Sequence, residues 1–494
     1  MRAKSMKLVA MVALILLLSA GVVSADGETA RSYAPAVYDT VACTVVVEPG
    51  SSIQKAISPA RSGAVICVRG GVYAEALKIA PANAGITLMA YPGEQPILDG
   101  ENRLPVITNK NRFAPLIMVN ARNVTVDGLE IRRSTMRGIT VSQGDVILRN
   151  LIVHDNYEVG VIATGPTAAP LRNVLVENSI VYNNLLKNAN GAAGGSALTF
   201  IAVENGTARG NVIYHNYGEG LVAGRWTRNM VLEGNASYDN RGANIYLVNT
   251  TDPIVRGNYV FCTDDPISWR GKGGMYRPGP GLQVRDENFK APQPPPSSGQ
   301  VIVNNIVVGC GVNFGVATQI AGGGLNNAIV AHNTFVNARS VSGESANNIE
   351  IAGNAALNNT QFVNNLILQS VPGTITRIQV AMGTPNLSTF MVSNNLYSRT
   401  PGNGWVAAES GRLVTDPQLV NPVLPLQAAL PAPANFALTA TSPAVDAGAT
   451  SIGVSQDFFS DERTGTVDIG ADELGGSTQF NLLGDPASLT FSGE

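Results

Sequence analysis

The sequence predicts an all-β solenoid, in which short coils of chain stack along one axis. A short phrase recurs, in which a small or polar residue, usually Asn, precedes three residues rich in Val and Ile. The shortest spacing between phrases is about 22–24 residues, and further β-like runs separated by Gly or Asn turns surround each phrase. The phrases begin at Gly128, Asn150, Asn178, Asn211, Asn235, Asn258, Asn305, Asn333, Asn365 and Asn395.

Stacking explains why such short strands can form a stable protein. Each unit holds about three strands of three to five residues, and one such strand cannot bury its apolar face alone. Identical coils bury a continuous column of Val, Ile and Leu. An Asn at a fixed turn position can adopt the left-handed conformation and hydrogen-bond its equivalent in the next coil.

The composition excludes several other classes. Charged residues make up 14% of the 494, whereas Gly and Pro number 52 and 28. A coiled coil or helical bundle would be rich in charged helix formers. The net charge of −3 argues against a general nucleic-acid partner. The spacing is too short for propeller blades and too variable for leucine-rich repeats.

The N-terminus is typical of a secretory signal. Basic residues precede an apolar run over 8–23, and small residues then offer a cleavage site. We expect a signal peptide over 1–25, a lead-in over 26–42, and export with no integral membrane segment after cleavage. An uncleaved anchor is the alternative, although 16 residues are few for a span that needs about 20.

The four cysteines are an even number, as expected in an exported chain. Cys43 and Cys67 flank the first two β-like runs, and Cys262 and Cys310 lie in neighbouring runs. We predict the disulfides Cys43–Cys67 and Cys262–Cys310. Four buried thiols are the alternative, and the spacing does not indicate zinc.

The opening of the repeat region carries a family resemblance. The segments VVVEPGSSIQKAI (45–57) and GAVICVRGGVY (63–73) precede the repeats. With them, roughly residues 43–400 resemble right-handed parallel β-helix proteins of the pectate-lyase-like superfamily. The resemblance implies a β-helix of about ten or more coils over 43–410, with an N-terminal cap helix that buries Ile53 and Ile57.

The pattern changes after residue 400. The segments TDPQL (415–419), SPAVDAG (442–448) and DIGADE (468–473) resemble the closing segment of many secreted bacterial β-helix proteins. An atypical terminal unit can cover the unpaired edge of the last coil. We expect a C-terminal capping segment over 411–474 and a disordered tail over 475–494.

The largest insertion, about 263–300, is a candidate site because β-helices bind ligands along their outer faces. Aromatic side chains can stack on sugar rings, and cations can pair with the carboxylates of an acidic polysaccharide. The alternative is a solvated loop that packs on the flank of the stack. The candidates in this insertion are Trp269, Arg270, Lys272, Tyr276 and Arg277, with Asp264 and Asp265 as acidic neighbours.

Two of the three histidines share one predicted register. Counting four positions after the repeated Asn places His154, Tyr182, His215, Asp239 and Cys262 in successive coils, about 4.8 Å apart. A histidine beside a carboxylate can act as a general acid or base, which makes His215 and Asp239 catalytic candidates. The alternative is a ladder of turns in which His caps backbone carbonyls.

A further group follows His215 along the chain. Glu219 lies in the same turn, and Arg225 and Trp226 follow it. We expect these residues to extend a basic, aromatic groove towards the large insertion.

The resemblance implies a chemistry as well as a fold. β-Helix lyases cleave uronic-acid polymers by β-elimination, with a Lys or Arg as base and Ca²⁺ or a cation at the carboxylate. Here Lys272, Arg270 or Arg225 would be the base. Asp264 and Asp265 would hold Ca²⁺, the one cofactor predicted. No stretch matches a family catalytic motif residue by residue.

Three functions therefore stay open. The favoured one is a lyase-type enzyme on an acidic glycan, expected to be a monomer. A glycoside hydrolase would instead need paired carboxylates, for which Asp264 with Asp265, or Glu158 with Glu219, are available. A non-catalytic surface, adhesion or glycan-binding rod needs neither a catalytic base nor paired carboxylates. The fold alone does not decide among these three functions.

Overall fold

The computed structural model describes residues 42–478, apart from short gaps. These gaps are 110, 192–193, 271–276, 342–344, 380–381, 403–404, 406–408, 451 and 477. The predicted signal peptide, nearly all of the lead-in and most of the predicted tail lie outside the described residues. Those domain boundaries stay predictions.

The chain winds through three long parallel sheets, A, B and C, and contributes one strand to each in turn. Within the described residues, sheet A has 13 strands: Val45–Val47, Val65–Val68, Thr87–Ala90, Val124–Asp127, Val146–Arg149, Val174–Glu177, Thr207–Arg209, Val231–Glu233, Ile254–Arg256, Val301–Val303, Ile329–Ala331, Thr360–Val363 and Phe390–Ser393. This arrangement is a parallel β-helix, and the predicted solenoid is confirmed.

The other two long sheets follow the same order. Sheet B has 13 strands in the described part: Gly71–Tyr73, Pro96–Asp99, Glu130–Arg132, Ile152–His154, Ile180–Tyr182, Val212–Tyr214, Ala236–Tyr238, Tyr259–Phe261, Ile306–Val308, Thr334–Val336, Leu366–Leu368, Leu396–Tyr397 and Leu413–Val414. Sheet C has 11, counted over the same residues: Leu77–Ile79, Pro115–Val119, Arg137–Val141, Val161–Thr164, Ser196–Ile201, Glu219–Ala223, Ile245–Leu247, Leu282–Asp286, Val312–Thr318, Asn347–Ala352 and Thr374–Gln379.

Smaller elements lie in the connections between the strands of the three long sheets. Two-stranded parallel sheets join Leu171–Arg172 to Val203–Glu204, and Gly324–Asn326 to Ala356–Asn358; an antiparallel pair joins Trp269–Arg270 to Arg277–Pro278. Short 3-10 helices cover Pro81–Asn83, Leu186–Asn188 and Pro433–Phe436. No described helix has the length and apolar character needed to cross a membrane.

A continuous apolar column fills the interior. On sheet A each inward residue sits directly over its counterpart in the coil before, which is the burial that isolated strands lack. The column on this sheet consists of Ile66, Leu88, Val126, Leu148, Val176, Ala208, Leu232, Val255, Ile302, Val330, Phe362 and Val392.

Buried asparagines form a hydrogen-bonded ladder along the corner between sheets A and B. At each step one side-chain oxygen accepts two hydrogens: Asn305 Oδ1 accepts from Asn258 N at 3.1 Å and from Asn258 Nδ2 at 2.9 Å. Nδ2 also donates to a strand carbonyl of the coil before, as Asn305 does to Val255 O. The members of this first ladder are Asn211, Asn235, Asn258, Asn305, Asn333, Asn365 and Asn395.

The prediction for these asparagines is half right. The hydrogen bond between coils is confirmed, but the ladder residues are not left-handed. The left-handed position is the preceding residue, as at Gly234 (φ 60°) and Asn304 (φ 53°). Asn150 and Asn178 occupy that left-handed position, so their phrases are offset by one residue from the later ones.

A second ladder lies at the corner between sheets B and C. Asn156, Asn184, Asn216 and Asn240 repeat the same bonding, and Asn240 bonds in turn to Asn244. Nδ2 of Asn244 then lies 3.2 Å from Cys262 Sγ. The ladder therefore ends against a disulfide.

Both predicted disulfides are confirmed, as Cys43–Cys67 and Cys262–Cys310. The first joins the chain just before Val45–Val47 to the strand Val65–Val68. The second crosses between two coils at the corner that follows sheet B, where both sulfurs are fully buried.

A short helix, Ile53–Ile57, precedes the first complete coil. Ser52 accepts a hydrogen bond from Lys55 N at 3.2 Å, and Ile53 and Ile57 are buried. The Glu75 carboxylate accepts from the backbone N–H of Ile53 at 2.6 Å, which satisfies a donor at the helix start. That this helix covers the end of the stack stays a prediction.

The C-terminal segment runs back over the outside of sheet B. It first pairs Leu413–Val414 with Leu396–Tyr397. Its apolar side chains then pack with outward residues of sheet B from several coils, and a role in closing the last coil stays a prediction. The buried residues of the segment are Leu419, Phe436, Leu438, Phe458, Phe459 and Ile469, and those they join include Tyr259, Phe261, Ile306, Val336 and Leu366.

The first ladder makes a testable stability prediction. Asn305→Ala removes the oxygen that satisfies two buried donors of Asn258, so we expect a loss of about 3 kcal/mol in unfolding free energy. Asn358 bonds to Asn326 on the exposed surface, so Asn358→Ala should change stability by less than about 1 kcal/mol. Urea unfolding measures both. Equal losses in the two variants would contradict the role of the ladder.

Candidate functional site

Loop lengths single out one corner of the β-helix, where the chain passes from sheet B to sheet C. Most connections there are short, but those over 100–114, 183–195, 262–281 and 337–346 are long. Two consecutive short turns, 215–218 and 239–244, lie between the 183–195 and 262–281 loops. We call the residues gathered there the corner site: His215, Asp239, Thr263, Asp265, Trp269 and Arg339.

The strand register aligns His215 with Asp239. Tyr214 pairs with Tyr238, so the residues that follow them occupy equivalent positions in adjacent coils. Both are left-handed, with φ of 54° and 49°, a conformation that His and Asp adopt more readily than most residues.

The predicted register is wrong for His154 and Tyr182. They pair one position earlier, with Tyr214, because the Asn150 and Asn178 phrases are offset by one residue. Their rings stack outside sheet B with centroid distances of 4.6 Å for His154–Tyr182 and 5.1 Å for Tyr182–Tyr214. His154 ends a strand, and its ring nitrogens contact the carboxylates of Asp155 and Glu130. The alternative, in which it caps a backbone carbonyl in a turn, therefore does not describe it.

Asp239 is a buried carboxyl group held by one neighbour. Its oxygens accept from the backbone N–H and the hydroxyl of Thr263, both at 2.7 Å. Burial raises the pKa of Asp239 to about 7, even though these hydrogen bonds act against the rise. Such a group exchanges a proton near neutral pH.

His215 and Asp265 form the second pair of the corner site. Nε2 of His215 lies 3.5 Å from Asp265 Oδ2, and the His215 side chain is 42% exposed while that of Asp265 is 7% exposed. The backbone N–H of Asp265 donates to the Thr263 hydroxyl at 3.0 Å. Thr263 therefore connects the Asp239 carboxyl group to the backbone of Asp265, and His215 is the member of the site that is open to solvent.

Arg339 completes the site, although it was not predicted from the sequence. Its guanidinium donates to Cys262 O at 2.7 Å and to Gly309 O at 3.1 Å, and lies 5.4 Å from the Trp269 ring centre. Burial lowers the pKa of Arg339. It comes from the 337–346 loop, and no sequence signal connects that loop with His215.

The large insertion is anchored from several sides. Trp269 Nε1 donates to Thr263 O at 2.9 Å, and Arg277 donates to Ser345 O at 3.0 Å. Lys272 and Tyr276 lie outside the described residues, as does the side chain of Arg270. Their predicted roles stay predictions.

Asp264 and Asp265 point to different partners. Asp264 Oδ1 accepts from the backbone N–H of Gln427, in the C-terminal segment, at 2.8 Å, whereas Asp265 faces His215. Among the described residues, no three acidic, His or Cys side chains are grouped as metal ligands. Because they face different partners, these two carboxylates alone do not form a calcium cage. Calcium binding stays a prediction.

Arg225 and Trp226 lie away from the corner site. They follow the strand Glu219–Ala223, whose five residues span about 16 Å, so they reach the opposite edge of sheet C. Arg225 stacks on Phe289 at 4.6 Å, and Trp226 is half-buried. Glu219, in contrast, lies at the start of that strand, at the edge of sheet C that follows the turn 215–218.

The pKa of Asp239 makes a pH prediction. Since its pKa is near 3.9 in an unfolded chain and about 7 here, the folded state binds more protons and stability falls as pH rises from 4 to 7. Asp239→Asn should flatten the fall in thermal midpoint between pH 5 and 8. Asp145→Asn, at an exposed pair with Arg122, should keep the wild-type slope. If the thermal midpoint of Asp239→Asn fell with pH as steeply as that of the wild type, the raised pKa could not belong to Asp239.

Comparisons with known proteins agree with the architecture. Residues 33–244 match the family model described as the Pel9A-like, right-handed β-helix region. A comparison with curated proteins finds no sequence match.

Several solved structures are similar to this chain at low sequence identity. A structure titled as the complex of XylC with xylose is 11% identical, with a TM-score of 0.51, and the match covers 87% of this chain and 98% of that one. The crystal structure of pectate lyase Pel9A is 15% identical, with a TM-score of 0.49 and coverage of 88% and 97%. The A-module of the Azotobacter vinelandii mannuronan C-5 epimerase AlgE6 is 15% identical, with a TM-score of 0.46 and coverage of 70% and 87%. With its three parallel sheets and its family match over 33–244, the chain is a right-handed parallel β-helix protein.

Proposed function

We propose that this protein is an exported enzyme that cleaves an acidic polysaccharide at the corner site. The observation that carries the proposal is the pairing of the exposed His215 with the buried Asp265, beside a second carboxyl group, Asp239, whose pKa is about 7. Perturbed titratable groups beside an exposed histidine are typical of proton-transfer sites.

The favoured reaction is β-elimination. His215 takes the proton from the carbon next to the uronate carboxylate, the electron pair forms a C=C bond, and the glycosidic C–O bond breaks. Water protonates the leaving oxygen. Asp265 orients His215 and stabilises its charged form, while Asp239 and Thr263 act as positioning residues.

The surroundings favour an anionic substrate. Arg277, from the 262–281 loop, is half-buried, whereas Arg339 is buried and adds positive charge beneath the site. Arg241, in the turn that follows Asp239, donates to Asn188 O of the 183–195 loop at 3.1 Å. Arginine is well suited to a sugar carboxylate because its planar donors can bind both oxygens.

Export is part of the proposal. Two disulfides in one chain favour an oxidising compartment. The basic and apolar N-terminal sequence supports the same location.

One observation favours a second reaction, glycoside hydrolysis. A carboxyl group with a pKa near 7 can donate a proton to a leaving oxygen, while a neighbouring carboxylate acts as base or nucleophile. Asp239 meets the first requirement of this scheme, and Asp265 is the neighbouring carboxylate. Both reactions would take place at the corner site, and they differ in the products that they release.

The test is a product assay on purified mature protein with pectate, alginate and chondroitin, each with Ca²⁺ and with EDTA. Absorbance at about 235 nm detects the unsaturated product of elimination, and a reducing-end assay detects both reactions. We expect rising absorbance, and His215→Ala should lower kcat at least about 100-fold.

The control is Asp145→Asn, which alters a left-handed acidic residue at another corner and should keep wild-type activity. Full activity in His215→Ala would contradict the catalytic assignment. New reducing ends without absorbance would favour the hydrolase. No product on any of the three polymers would remove the enzyme proposal for them and favour a binding rod.

A further inference from the structure

Two exposed aromatic rings lie on the other side of the 183–195 loop. Phe113 is 53% exposed and Tyr157 is 48% exposed. Phe113 ends the 100–114 loop, and Tyr157 lies in the short turn that follows Ile152–His154. Both belong to the same B-to-C corner as the corner site.

Two cations join these rings into one surface. The Arg137 guanidinium lies 4.7 Å from the Phe113 ring centre, and its Nε is 3.4 Å from Glu158 Oε2. Lys187 Nζ lies 2.6 Å from Glu158 Oε1, and the Lys187 backbone N–H donates to Tyr157 O at 3.1 Å. Two cations thus share one carboxylate, and these three side chains carry a net charge of +1.

The second ladder places this surface in line with the corner site. Tyr157 follows Asn156, Tyr217 follows Asn216, and Arg241 follows Asn240, so the three occupy equivalent turn positions. Coils repeat about every 4.8 Å. Tyr157 is therefore about 10 Å along the axis from Tyr217, which stacks near His215 with ring centres 6.5 Å apart.

We infer that Phe113, Arg137, Tyr157 and Lys187 form a second glycan-binding surface, which holds further sugar units of an acidic polysaccharide running along the axis of the β-helix. The two aromatic rings can stack on sugar rings, and the cations Arg137 and Lys187 can attract uronate carboxylates. The inference rests on the proposed function for its choice of glycan. It adds a binding surface that contributes to affinity without touching the reacting bond.

The test measures binding separately from cleavage. Affinity electrophoresis of the His215→Ala protein through gels with pectate, alginate or chondroitin gives retention without turnover. We expect retention by at least one acidic polymer and none by dextran. Adding Tyr157→Ala should weaken that retention about fivefold to tenfold, and Phe113→Ala should weaken it in the same direction.

The control is Tyr91→Ala, which removes another ring that contacts an arginine, Arg69, at 4.3 Å on a different corner. It should leave retention unchanged. In the active protein, Tyr157→Ala should raise KM for the polymer but leave kcat, and KM for a disaccharide or trisaccharide, as in the wild type.

Unchanged retention in Tyr157→Ala and Phe113→Ala would overturn this inference even if the enzyme is active. Equal retention on dextran, which is uncharged, would overturn the inference that the ligand is an acidic polysaccharide. Absence of wild-type retention on every acidic polymer would overturn the inference as well, whereas the product assay decides the proposed function independently.

Discussion

The structure depends on one repeated interaction, the hydrogen bonding of a buried asparagine to the next coil. Each ladder oxygen accepts two donors of its neighbour, as Asn305 does from Asn258. A buried amide without partners is costly, so a coil that slips by one residue loses these bonds and turns its apolar side chains outward. The ladders therefore fix the register of coils whose strands are only two to seven residues long.

A fixed register leaves the connections free to vary, and function can be built there. The short turns that carry His215 and Asp239 are rigid because Asn216 and Asn240, one residue later, are ladder members. The second ladder ends at Cys262–Cys310, and the next residue, Thr263, holds Asp239. The disulfide thus fixes the position at which the large loop begins. Two residues after Thr263, Asp265 contacts His215.

The sequence was most informative where the pattern repeats. It predicted the solenoid, both disulfides and the bonding of asparagines between coils, because each follows from periodicity and strand adjacency. It misplaced the left-handed residue, and with it His154 and Tyr182, because a Gly–Asn pair and a single Asn look alike in one sequence. Arg339 and the contact of Asp264 with Gln427 were beyond reach, since both depend on how non-repeating segments fold back onto the stack.

Hydrogen exchange with and without polymer would show whether an acidic polymer lies along the B-to-C corner. The protein would be His215→Ala, saturated with the acidic polymer that retains it. We predict slower exchange in the turns 155–160, 215–218 and 239–244 and in the first residues of the 262–281 loop. Protection confined to the outer face of sheet A, or to the C-terminal segment over sheet B, would contradict this prediction.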